Sequence, residues 1–245
     1  MAIKSSIYKA QLSVTDMDRH VYDAFPLTIA CHPSETEARM MLRIVSFAMH
    51  ADPQLVFGRG ISTDNEPDLW QRSLSNDIEL WIDLGTPDES RIRKASGRAK
   101  QVIVYVYGDR SVAVWWAKNE ATLKRFNNVR VVQISDESMQ ALAALASSNM
   151  SLQSMIEDGQ LALSSAEHEA LIEVARLGWQ GAEREYRSRR ARLAMKTVEA
   201  RWLRLGIWLS VSRNFGSQSQ MEAMVSAVAV TAGRRASGRR RTAEM

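Results

Sequence analysis

The segment Asp77–Lys94, DIELWIDLGTPDESRIRK, limits the fold more than any other stretch of this 245-residue chain. Ile78, Leu80 and Ile82 alternate with Glu79, Trp81 and Asp83, which is the period-two pattern of a strand with one apolar face. Gly85 and Pro87 end that strand. A helix from about Asp88 to Lys100 follows, with Arg91, Arg93 and Lys94 in its first two turns. Gln101–Tyr107, QVIVYVY, is then a near-continuous apolar run, the signature of a strand buried on both faces. Strands alternating with helices in this way indicate an α/β domain.

The flanking segments extend that reading. Ile7–Val14 and Val21–Ala30 read as two strands joined through Thr15-Asp16-Met17-Asp18, an N-terminal β-hairpin. Pro33 blocks further strand, and Ser34 with Glu37 three residues later makes a capping box for a helix. Ala38, Met41, Leu42, Val45, Ala48 and Met49 supply its buried stripe, and Asp52-Pro53 ends it. Leu55–Arg59 is a short strand, and residues 62–77 form a polar connection with a short helical or strand piece at Leu69–Arg72. Val112–Trp116 is a short strand or the start of a helix that covers about 117–125. A strand at Val129–Ile134, a helix from Asp136 to about Ala146, and strands near 150–156, 160–164 and 169–174 complete the domain. The hairpins predict a mixed sheet.

Composition narrows the class. With 45% hydrophobic residues the chain can build a substantial core. Cys31 is the single cysteine, so neither a disulfide framework nor a cysteine zinc site forms within the chain. The N-terminus has no apolar stretch of a secretory signal, and no run approaches the roughly 18 apolar residues of a membrane span. The expectation is a cytoplasmic protein without a membrane partner. Charge is uneven: residues 181–245 carry 14 Lys and Arg against 5 Asp and Glu, a net of +9, whereas 1–180 carry 18 against 23, a net of −5. The predicted boundary therefore separates a domain at 1–180 from a basic helical or disordered extension at 181–245 that is dispensable for folding.

Several side chains are candidates for chemistry. Glu35 heads the buried stripe of the first helix, which either points a carboxylate at the sheet or simply favours the helix dipole. Glu79 and Asp83 share one strand face but stand about 13 Å apart, too far to chelate one ion together. Asp83, at the strand end beside the cationic helix, is the better placed of the two. Arg91 and Lys94 are helix neighbours that could pair with Asp83, hold a phosphate, or form a solvated face. His20, His32, His50 and His168 have no metal-ligand spacing, and no GxxxxGK[ST] or GxSxG motif occurs. Trp115-Trp116 reads as core packing.

Ordered matches over residues 1 to about 180 carry a family resemblance. IYKA near the start, HPSET with Arg39-Met40-Met41-Leu42-Arg43, Asp64 with Glu66-Pro67, DIELWIDLG, the Trp115-Trp116 pair with Asn119, and MSLQ followed by IEDG resemble the bacterial YaeQ proteins. The resemblance implies a compact variant of the PD-(D/E)XK nuclease fold, whose core runs helix, three strands, helix, strand. It also implies an acidic site for one Mg²⁺ or Mn²⁺ ion, with Glu35 as the helix acid and Asp83 as the strand acid. Asp68, in the literal Pro67-Asp68, or Glu79, on strand geometry, would be the third ligand. Gly85 stands where that superfamily has its lysine, so Lys94 or Arg91 would supply the positive charge.

Two functions follow as expectations. One is a divalent-metal-dependent nuclease acting on DNA or RNA, in which the metal polarises the scissile phosphate and activates a water. The other is a catalytically inactive module of the same fold that binds nucleic acid or a protein. The nuclease reading requires Glu35 and Asp83 to converge at one end of the sheet, within roughly 5 Å of each other for shared ligation.

Overall fold

The N-terminal alternation folds as one long hairpin in the computed structural model, which describes residues 5–59 and 66–177. β1 (Ser6–Asp16) and β2 (Val21–Cys31) pair antiparallel from Ser6–Cys31 to Asp16–Val21. Ala10, Leu12, Val14, Leu27 and Ile29 face the core, and the intervening residues face outward. The next element is α1 (Glu37–Met49), buried along almost its whole length. Its N-cap is Thr36, whose side chain accepts from the Arg39 N–H. The predicted capping box at Ser34 is therefore corrected. Ser34 Oγ instead lies 2.6 Å from His32 Nδ1 in the turn that Pro33 imposes, so Glu35 precedes the helix.

β3 (Leu55–Phe57), β4 (Leu69–Arg72) and β5 (Ile78–Leu84) form an antiparallel meander. α2 (Glu89–Arg98) then leads to β6 (Ala99–Tyr107), α3 (Asp109–Leu123) and β7 (Val129–Ile134). β5, β6 and β7 lie parallel, as strand–helix–strand connections demand. α3 is a single helix that absorbs the Val112–Trp116 segment. After α4 (Asp136–Ala144) come β8 (Asn149–Glu157), β9 (Gln160–Ser164), β10 (Glu169–Ile172) and β11 (Val174–Leu177).

The strands form two sheets, where the sequence predicts one mixed sheet. One is five-stranded, in the order β10-β9-β8-β1-β2, and the other six-stranded, in the order β11-β7-β6-β5-β4-β3. Each contains both parallel and antiparallel pairs. The last predicted strand is split at Glu173, where the chain crosses from the first sheet to the second. Two packing clusters set the layers. The larger joins the inner face of the five-stranded sheet, α1, α4 and Leu80, Ile82, Leu84, Ile103 and Tyr105 of the six-stranded sheet. The smaller joins the opposite face of that second sheet, through Trp81, Val102, Val104 and Val106, to Ile92 and Ala95 of α2 and Val112 and Leu123 of α3. The order of layers is sheet, helices, sheet, helices. No helix among the described residues is long and apolar enough to cross a membrane. The predicted extension 181–245 lies outside the described residues.

Candidate functional site

The alternation of β5 decides where the candidate acids go. Leu80, Ile82 and Leu84 point toward α1, so Trp81 and Asp83 point toward α2. Asp83 is buried and meets Arg91 of α2 in a two-bond pair: Nε donates to Oδ2 at 2.9 Å and Nη2 to Oδ1 at 2.8 Å. Arg91 Nη2 also donates to the Glu66 carbonyl at 2.8 Å. Gly85, at φ 98°, ends the strand with its N–H on the Tyr105 carbonyl, and this left-handed turn starts the path into α2.

Glu35 is held on the α1 side of the sheet. Arg39 Nη1 donates to its Oε1 at 2.5 Å, and Arg43 Nη1 lies 3.4 Å from its Oε2. Arg39 Nη2 donates to Asp68 Oδ1 at 2.6 Å, so one guanidinium bridges two buried carboxylates. The second oxygen of Asp68 accepts from the Leu84 N–H at 2.9 Å. Arg43, only 1% exposed, also donates to the Ala30 carbonyl at 2.9 Å. Asp68 is fixed in place by a close approach of two strands. The Gly58 N–H donates to the Asp68 carbonyl at 2.9 Å, and a Cβ at Gly58 would lie 2.0 Å from the Pro67 carbonyl oxygen.

Electrostatics follows from this network. Burial works against the Arg39 charge, but the Asp68 and Glu35 carboxylates outweigh it and raise its pKa. Burial raises the Tyr107 hydroxyl, with Arg39 beside it pulling the other way. Burial, helped by the Glu35 charge, also raises the Cys31 thiol.

The expected convergence of Glu35 and Asp83 is thus corrected: they flank opposite faces of the six-stranded sheet, and each has its own arginine. The structure brings together Glu35 and Asp68, through Arg39. Glu79 stands apart, with its Oε1 accepting from Lys100 Nζ at 2.6 Å. Lys94 is exposed on α2, one turn beyond Arg91. As placed, these carboxylates do not make a ligand set for Mg²⁺ or Mn²⁺, because all six oxygens of Glu35, Asp68 and Asp83 accept from arginine or backbone donors. Among the described residues no group of three or more His, Cys, Asp and Glu is arranged to hold a metal ion. Sequence reading missed the roles of Arg39, Arg43 and Tyr107. A signal existed for the arginines: Glu35, Arg39 and Arg43 recur every four residues, the spacing of one helix face.

The family model described as YaeQ protein matches residues 1–174. The chain belongs to the YaeQ family. The relative named "Uncharacterized protein YaeQ" from Escherichia coli (strain K12) is 43% identical over 159 residues, 65% of this chain and 88% of that protein. Its counterpart from Salmonella typhi is 41% identical over 161 residues, 66% of this chain and 89% of that one. The crystal structure of YaeQ from Xanthomonas axonopodis pv. citri matches at 40% identity with a TM-score of 0.69, covering 71% of this chain and 98% of that one. YaeQ from Pseudomonas syringae matches at 34% identity with a TM-score of 0.68, covering 72% and 97%.

Proposed function

We propose that this YaeQ-family protein binds nucleic acid without cutting it, as a variant of the PD-(D/E)XK fold whose acidic site has become structural. One observation carries the reading: every oxygen of Glu35, Asp68 and Asp83 is already engaged, and the guanidinium groups of Arg39, Arg43 and Arg91 balance their three charges. A nuclease metal needs carboxylate oxygens at about 2.0–2.6 Å from the ion. Here it would have to displace cations from buried acids, which leaves the arginines without their carboxylate partners. The element order α1-β3-β4-β5-α2-β6 supports descent from the nuclease core.

Charge distribution supports nucleic acid as the partner. Residues 86–129, which hold α2, β6 and α3, carry nine Lys and Arg against four Asp and Glu, a net of +5. Arg93, Lys94, Arg98, Arg110, Lys118, Lys124 and Arg125 are exposed in this layer. A polyanion gains affinity there by releasing counterions.

The test is fluorescence anisotropy of the full chain with labelled oligonucleotides, in EDTA and in Mg²⁺ or Mn²⁺, alongside gel analysis of the same samples. Metal-independent binding that weakens from 50 to 200 mM salt, with intact oligonucleotide recovered, is expected. Metal-dependent cleavage that Glu35→Gln or Asp83→Asn abolishes would restore the nuclease reading. Absence of any binding would sink the proposal.

A further inference from the structure

The α2 side of the six-stranded sheet carries an aromatic strip flanked by arginines. Trp70 on β4 and Trp81 on β5 are cross-strand partners, with ring centroids 6.3 Å apart at 88°. The Arg72 guanidinium lies 3.7 Å from the Trp70 ring centroid, and the Arg98 guanidinium 5.6 Å from that of Trp81. The result is a ladder of cation, indole, indole, cation that runs from β4 to the end of α2. Trp70 and Arg72 are half-buried and Arg98 is exposed.

Two buried donors of the strip lack acceptors. Arg72 Nη1 donates to a neutral partner, Asn76 Oδ1, at 2.8 Å, and no carboxylate among the described residues forms an ion pair with it. Arg72 Nε and Trp81 Nε1 are buried donors without an acceptor. Buried polar groups in native proteins are nearly always satisfied, so each orphan calls for an explanation. An anionic oxygen entering beside Arg72 would meet a guanidinium with spare donors. The cations of α2 would continue the track, and the half-buried Trp70 ring, already carrying Arg72 at 3.7 Å, would offer its remaining surface to a base, the combination that sequence-tolerant single-strand binders use.

We infer that Arg72, Trp70 and Arg98 form the contact strip for a single-stranded nucleic acid, with phosphates at Arg72 and Arg98 and a base against Trp70, while Trp81, 1% exposed, backs Trp70 from the core. This rests on the nucleic-acid reading above and gives it a location. The charge sign selects a polyanion, and the half-buried indole selects single strands over duplex.

The experiment measures binding of the full chain to labelled dT and U oligomers and to a duplex of equal length. Variants are Arg72→Gln, Arg98→Gln, Trp70→Leu and Trp70→Phe. Lys9→Gln, on the exposed face of the five-stranded sheet, is the control. Each arginine variant should weaken single-strand binding about fivefold to twentyfold and lower the salt slope by about one. Trp70→Leu should weaken it comparably at an unchanged salt slope, Trp70→Phe should retain most of it, and Lys9→Gln all of it. Thermal transitions verify folding. Should Arg72→Gln or Trp70→Leu unfold, Arg98→Gln still decides. If the wild type binds but the folded arginine and Trp70→Leu variants bind equally well, the strip is not the contact and only this inference falls. Duplex binding as tight as single-strand binding also overturns it. If the wild type binds nothing, the parent reading falls with it.

Discussion

The two faces of the six-stranded sheet use the same residue types to opposite effect. On the α1 face, Glu35, Asp68 and Arg43 are buried, and Arg39, its side chain only 13% exposed, bridges the two acids. On the α2 face, Asp83 is buried, but its partner Arg91 is 27% exposed, and beyond it the cations stand in water. Charge on the first face joins three chain segments: the β2–α1 turn, α1 and the start of β4. Charge on the second face lies at the surface, where water reaches it. A carboxylate or an arginine is therefore uninformative by itself, and its function follows from which side of the strand it projects from.

The largest test of that contrast is Glu35→Ala. It leaves Arg43 buried with the Ala30 carbonyl and the Phe57 ring but no carboxylate, and it halves the acids around Arg39. Breaking a buried pair from one side typically costs about 3–5 kcal/mol. Denaturant unfolding of the full chain should show the midpoint falling accordingly. A loss of about 1 kcal/mol or less would mean that the α1-face network is as dispensable as a surface pair.

Acid provides a second probe of the sealed face. His50, at the C-terminal end of α1, lies 2.9 Å through Nε2 from the Tyr105 hydroxyl. Burial, reinforced by the Arg19 and Arg130 cations, lowers its pKa from 6.5 to about 4. The unfolded chain takes up a proton below about pH 6.5, and the folded chain resists until about pH 4. The stability from a neutral His50 is thus complete above pH 6.5 and is lost as pH falls toward 4, by up to about 3 kcal/mol. His50→Gln keeps an acceptor for Tyr105. Its stability should fall less steeply over that window, and identical pH profiles would count against the buried-neutral assignment.

Most of the fold was legible because it is periodic. The alternation of β1, β2, β5 and β8 and the apolar run of β6 locate these strands to within a few residues. What was not legible depends on pairing partners that one sequence does not reveal. The hairpin joins β8 in a separate sheet, and that pairing spans some 140 residues of chain. The candidate site failed on the same ground. Glu35 and Asp83 each reach a sheet face as their local pattern implies, but which face packs against α1 is set by Leu80, Ile82 and Leu84, the apolar half of β5. Once those three cover α1, Asp83 must point to α2. Arg43 was hidden because a charged residue within a buried stripe reads as an exception until its partner is known.

Asp83→Asn tests the more open face. The substitution keeps the volume and removes the charge opposite Arg91, which retains the Glu66 carbonyl and partial contact with water. The loss should be about 1.5–2 kcal/mol, the lower part of the span of about 1.5–3 kcal/mol for a hydrogen bond to a charged group. A loss equal to that of Glu35→Ala would erase the distinction between the faces.

The smallest effect belongs to Glu79→Ala. Glu79 and Lys100 form a 2.6 Å pair, with side chains 32% and 66% exposed. Water already solvates both partners, so the Coulomb gain is screened and the cost of ordering two long side chains nearly cancels it. The variant should lose no more than about 0.5 kcal/mol, and the difference should vanish at high salt. The result bears on the contrast because Glu79 shares with Asp83 the same strand and the same alternation parity, four residues away. If removing Glu79 cost as much as removing Asp83, depth along the strand would not matter, and position at the buried end of β5 could not be what makes Asp83 structural. A near-zero loss would leave burial, rather than charge or face alone, as the variable that separates the acids of this sheet.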